Sequence, residues 1–194
     1  MEADWSMELG EGLAEIVVPW SAEGLAWVDL RAPQADCAAA VQDIALKEAQ
    51  PALAAALEAL NEERSAWLTS KCDAWLIDCR EESLDPYELD AADLAAQGAP
   101  LYGCGSYLDV LVREGRLFSD FQWHEVLLRT LTETLRAQPL PHARVDLVLR
   151  AARLHDRTGF GITTYAAGCG LDAKMALEAW RTALLLLTGA LLNC

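Results

Sequence analysis

Lysine is nearly missing from this chain: Lys47, Lys71 and Lys174 are the only three among 194 residues. Lys and Arg together number 15 against 30 Asp and Glu, a formal net charge of −15. Affinity for a phosphate backbone comes mainly from Lys and Arg displacing counterions, so no nucleic-acid partner is expected. Long apolar runs are lacking too. The longest, Ala183 to Leu192, is ten residues and includes Thr188 and Gly189, whereas a membrane span needs about 20. It reads as a buried helix, and no membrane partner is expected. Met1 to Glu8 has neither the basic nor the apolar segment of a secretory signal, so the expected location is cytoplasmic.

Chemical signatures are equally sparse. Six cysteines (Cys37, Cys72, Cys79, Cys104, Cys169 and Cys194) are too few for a disulfide scaffold in a chain of this length, and in a reducing compartment they are expected as thiols. No Cys-x-x-Cys pair occurs, and His124-Glu125 lacks the second histidine of a zinc helix, since Leu128 stands there. Asp85-Pro86-Tyr87-Glu88-Leu89-Asp90 lacks the ladder and central glycine of a calcium loop. Gly-x-Ser-x-Gly and the glycine-rich phosphate loops are absent as well. Gly103-Cys104-Gly105 and Gly168-Cys169-Gly170 read as open turns carrying exposed thiols without a local histidine. No metal or cofactor is expected, and no catalytic residue is assigned.

What is present points to a folded globular chain, with 53% hydrophobic residues and a mean hydropathy of +0.12. Arginine-rich, Ala- and Leu-rich usage of this kind fits a GC-rich bacterial genome. From 144 to 153, Val145, Leu147, Leu149 and Ala151 alternate with Arg144, Asp146, Val148 and Arg150, the period of a half-buried strand. Phe160 to Tyr165 is rich in aromatic and β-branched residues and completes a hairpin. Asp172 is a candidate cap for a helix reaching about Leu192, with Met175, Ala176, Ala179, Trp180, Ala183, Leu184, Leu187 and Leu191 on one stripe. Upstream, Ser106 to Arg113 alternates as a strand, and Phe121 to Arg136 changes to helical period before Pro139 and Pro141.

The first half is read as a hairpin of Leu13 to Val18 and Gly24 to Leu30, a helical stretch from Gln34 to Leu60 with Pro51 dividing it or opening a second helix, and a strand from Lys71 to Asp78. The parse gives three strand-strand-helix units, at 13–61, 71–137 and 143–193. The expected class is α+β, an antiparallel sheet with helices on one face, with all-α as the alternative. Residues 1–100 form an acidic half and residues 101–194 a strand-helix-strand-strand-helix half, expected to make one unit. Of the seven tryptophans, Trp5 is read as lying in a loose segment and the rest as core or interface residues.

Charge is unevenly divided. Residues 1–100 carry a net of −16, residues 101–194 a net of +1. Acid is densest from Asp73 to Asp93, and Asp78, Glu81, Glu82, Asp85, Glu88, Asp90 and Asp93 are the candidate partner-binding residues. Complementary charge accelerates encounter with a basic partner, so the leading expectation is a non-enzymatic protein-binding or regulatory module, of the immunity-protein or antitoxin kind, with a homo-oligomer as a further partner. The alternative is an enzyme or small-molecule binder with a pocket between sheet and helices, using His124, Glu125 or the Asp78 to Asp93 carboxylates.

Overall fold

A computed structural model of the chain describes all residues except 22, 24–26, 33, 79–84, 86 and 87. Six strands, β1 (Glu2–Glu8), β2 (Ile16–Val18), β3 (Trp67–Asp78), β4 (Tyr102–Val112), β5 (Ala143–Leu154) and β6 (Arg157–Gly170), form one sheet in the order β1-β5-β6-β4-β3. β2 pairs with β5 at 152–154, beyond the stretch of β5 that β1 occupies. The helices are α1 (Cys37–Ala40), α2 (Gln50–Asn61), α3 (Ala92–Ala95), α4 (Gly115–Phe118), α5 (Phe121–Arg136) and α6 (Ala173–Leu192). The fold is α+β, as the patterning indicates, and not all-α. From β5 to β3 the sheet is antiparallel, and β1 and β2 add a parallel edge.

The second and third strand-strand-helix units form as read: β3, β4 and α5, then β5, β6 and α6. The first does not. Leu13 to Val18 contributes only β2, Trp27 to Leu30 is not a strand, and Gly24 to Ala26 lie outside the described residues. The segment around Trp5, read as loose, is the edge strand β1 instead. Ala3, Trp5 and Met7 share one side of it, opposite Val145, Leu147 and Leu149 of β5, and the Met1 ammonium donates to the Gln138 carbonyl at 2.6 Å. The helical stretch after Gln34 breaks into α1 and α2, with turns from Val41 to Ala49, and Pro51 sits in the first turn of α2. There its missing N–H costs no hydrogen bond.

One face of the sheet is covered by α5 over β1 and β5, α6 over β6 and β4, and α2 against β3 and α6. Of the predicted stripe, Ala176, Trp180, Ala183, Leu184, Leu187 and Leu191 are buried, while Ala179 is half-buried and Met175, in the first turn, is exposed. Asp172 caps α6, accepting from the Met175 N–H at 2.8 Å. Among the described residues α6 alone is long and apolar enough to cross a membrane by length and composition. Two buried indoles lock it down: Trp180 Nε1 donates to Ser106 Oγ of β4 at 2.8 Å, and Trp67 Nε1 of β3 donates to the Leu191 carbonyl at 2.8 Å.

Gly168 and Gly170 are not a turn but the last residues of β6, and Gly103 to Gly105 lie within β4. Cys104 and Cys169 are therefore buried, not exposed in open loops. The glycines are there for close approach. A Cβ on Gly168 would stand 2.2 Å from the Trp180 backbone nitrogen, and one on Gly170 2.4 Å from the Met175 Cβ. Gly168→Ala is expected to destabilise by about 2–3 kcal/mol through overpacking, a fall in Tm of roughly 5–10 °C for a chain this size. Gly189→Ala, in α6 with open space around its Cβ, is expected to raise stability by up to about 1 kcal/mol through helix propensity. Thermal melts of the two variants check this, and equal effects would contradict the proposed seat of α6.

Candidate functional site

The opposite face of the sheet is only partly covered. Leu89, Ala91, Leu94 and Leu101 pack over Cys169 at one end, and Ile16 reaches Gly161 near the other. Between them the strands present polar and aromatic side chains, because each alternates with an apolar residue that faces the helices. In β4, Leu108 and Val110 are buried in the main core while Tyr107 and Asp109 point the other way. Tyr107 and Tyr165 are register partners on β4 and β6 with ring centroids 6.3 Å apart, and Trp75 of β3 extends the row at 6.5 Å from Tyr107. Gly105 makes room for that indole, since a Cβ there would touch it at 3.0 Å. Trp75 is 38% exposed.

A chain of hydrogen bonds crosses the sheet beside this row. Arg150 of β5 donates from Nη1 to Glu8 Oε2 of β1 at 2.6 Å and from Nε to Thr163 Oγ1 of β6 at 2.9 Å. The Thr163 hydroxyl donates onward to Asp109 Oδ1 of β4 at 2.6 Å. Asp109 is 5% exposed and Arg150 8%. Burial pushes the Asp109 carboxyl above its ordinary range, opposed by the Thr163 hydrogen bond and by the charges of Lys71 and Arg150. Cys72 and Tyr107 are pushed up to about 12, by burial first and then by neighbouring carboxylates that include Asp73 and Asp109. At neutral pH neither is an anion.

Among the described residues β3 pairs in the sheet only with β4, and β2 comes against its bulge, where Ser70 Oγ donates to the Val17 carbonyl at 2.8 Å. The β3 register slips between Thr69 and Cys72, a bulge that carries Ser70 and Lys71. A cleft of ≈ 480 Å³ follows this edge of β3, walled by Thr69 to Asp73 and Tyr107, with Trp20, Trp27 and the segment from Ala39 to Ile44 opposite. A second cleft, of ≈ 460 Å³, adjoins it between Arg31, Asp36 and Cys37 on one side and Glu58, Asn61, Glu62 and Glu63 of α2 and its C-terminal end on the other.

The candidate partner-binding carboxylates are distributed as follows. Glu81 and Glu82 lie outside the described residues, and Asp78 is the last residue of β3. Asp85, Glu88 and Asp90 are exposed. Asp93, in the first turn of α3, is clamped by His142 Nε2 at 3.0 Å, and the Glu88 carbonyl accepts from Arg144 Nη1 at 3.4 Å. His124 and Glu125 diverge. The His124 ring is wholly buried, edge-on to Trp123 and Phe160, and its Nδ1 donates to the Asp120 carbonyl at 2.8 Å. Burial lowers its pKa, so it is neutral at pH 7. Glu125 instead pairs with Arg129 at 2.7 Å. Among the described residues no group of three His, Cys, Asp or Glu could hold a metal ion. Sequence reasoning passed over Tyr107, Asp109 and Tyr165, although they sit out of phase with Leu108, Val110 and Thr164. No family model, curated protein or solved structure matches this chain.

Because folding favours the protonated form of Asp109, its charge costs stability above the raised folded pKa. That cost fades as the pH falls through the raised value toward the ordinary range near about 4. Asp109→Asn keeps an acceptor for Thr163 and is expected to melt higher than the parent at pH 7–8, with the difference closing as the pH approaches about 4. Melting curves across that range check it. A variant less stable at pH 7 would mean that Lys71 and Arg150 outweigh burial.

Proposed function

We propose that this is a non-enzymatic protein-binding module, regulatory in the manner of an immunity protein or antitoxin and acting in the cytoplasm, which docks a basic partner against the β3 side of the sheet. The observation that carries this reading is where the cations go. Four arginines of the second half are engaged toward the other edge: Arg136 on Asp4 at 3.6 Å, Arg150 on Glu8 at 2.6 Å, Arg153 on Glu15 at 3.6 Å and Arg144 on Asp146 at 2.7 Å. The first three offset carboxylates of β1 and of the chain leading to β2.

Of the charged residues lining the two clefts there, six are carboxylates (Asp36, Asp43, Glu58, Glu62, Glu63 and Asp73) and two are cations, Arg31 and Lys71. Arg31 is already paired with Asp29 at 2.8 Å, and nearby Arg113 is held by the carbonyls of Trp67 and Glu63. Trp75, 38% exposed and 6.5 Å from the Tyr107 ring that walls the first cleft, adds apolar contact area beside that charge. An open strand edge is a ready template for an extended segment of another chain, with main-chain hydrogen bonds supplying affinity and side chains specificity. The acidic run after β3 continues the same sign of charge, but His142 and Arg144 engage part of it, so the clefts rather than the run are the main docking surface.

Titration of a fluorescently labelled arginine-rich peptide at low ionic strength is expected to give saturable binding that weakens at least tenfold by about 0.5 M salt, where exposed charges are screened within a few ångströms. Replacing Glu58, Glu62 and Glu63 by Gln is expected to weaken it several-fold, and Asp4→Asn at the opposite edge to leave it unchanged. No binding at low salt, or equal effects of the two changes, would overturn the reading.

A further inference from the structure

The cleft along the edge of β3 is lined by three aromatic rings, Trp20, Trp27 and Tyr107, and by Asp43 and Asp73. Such a combination favours a cation with an organic surface, because ring faces and carboxylates both attract positive charge. A cation is already there. The Lys71 ammonium, carried by the bulge, stands 5.6 Å from the centroid of the Trp20 ring. Among the described residues it has no carboxylate within ion-pair distance, nor have Asp43 and Asp73 a basic partner. The position over the ring is thus filled from within, while both wall carboxylates remain available. Cys72 and Tyr107, neutral at pH 7, do not oppose an incoming cation.

We propose that this cleft is the anchor pocket for an arginine or lysine side chain of the basic partner, and that Lys71 occupies the pocket in the unbound protein and is displaced on docking. The proposal rests on the docking function argued above and adds the site at which it is anchored. An arginine suits the pocket best. Its guanidinium is planar, stacks on an indole, and reaches a carboxylate with two parallel N–H donors. Lysine 71, on a bulge at the strand edge, can swing outward without breaking a strand hydrogen bond.

The labelled arginine-rich peptide distinguishes this pocket from generalised attraction. Lys71→Met removes the occupant and keeps its aliphatic stem, and is expected to tighten binding about fivefold, the scale of one cation–π contact. Lys47→Met removes the same charge away from the Trp20 ring and is expected to change binding less than twofold. Lys71→Arg, which keeps a cation over the ring, is expected to bind as the parent does, and the double change Asp43→Asn with Asp73→Asn to bind about tenfold more weakly. Thermal melts confirm that each variant is folded. If Lys71→Met and Lys47→Met tighten binding equally, or the double change has no effect while the Glu58, Glu62 and Glu63 substitutions still weaken binding, the anchor pocket is refuted and docking on acid alone stands. Absence of peptide binding by the parent protein at low salt would refute the docking function itself.

Discussion

The seat of α6 on the glycine-bearing end of β6 is the contact on which the rest of the structure depends. At Gly168 the backbone of strand and helix approach so closely that no Cβ fits between them, and the Trp180 indole is fixed to Ser106 across the neighbouring strand. Once α6 lies over β6 and β4, α5 and α2 can only flank it, over β1 and β5 on one side and against β3 on the other. One face of the sheet is thereby closed. The polar and aromatic alternates of the same strands are left on the second face, and β3 is left as an outer strand.

Electrostatics then divides the molecule. β1 and the chain leading into β2 bring Asp4, Glu8 and Glu15 beside β5 and α5, whose arginines pair with them. Three acidic residues of the first half are thus paired along the β1 edge, whereas the clefts beside β3 gather six carboxylates and two cations. Surface pairs of this kind add little stability each. Their effect is to fix where positive charge is held. The chain through Arg150, Thr163 and Asp109 is different in kind, because it is buried and satisfies its members mutually, tying β1 to β4 across the two central strands.

Much of this architecture was legible in the sequence. Alternation in Arg144 to Arg153 and the three-and-four spacing around Trp180 are strong periodic signals over long segments, and Asp172 marks the helix start. The first half was harder because its signals are short. Ala3, Trp5 and Met7 do alternate, but Glu2, Asp4, Ser6 and Glu8 between them resemble a solvated terminus, and a parallel edge strand pairing with residues more than a hundred positions away leaves no hairpin turn to find. Gly103, Gly105, Gly168 and Gly170 suggested turns, since glycine's commonest use is conformational. Here they sit in strands and serve close packing. Of the site, the sign of the charge could be read in advance and its place could not. The densest run of acid lies after β3, whereas the clefts gather Asp36, Asp43, Glu58 and Asp73 from segments scattered over some forty positions.

The most direct test of the proposed docking surface is amide hydrogen exchange of the protein with and without a saturating arginine-rich peptide at low salt. The account predicts new protection confined to β3 from Lys71 to Ile77, to the segment from Trp27 to Ile44 and to the C-terminal end of α2 from Glu58 to Glu63, with β1 and α5 unchanged. Protection centred on β1 and α5, or no change at β3 under saturation, would contradict it.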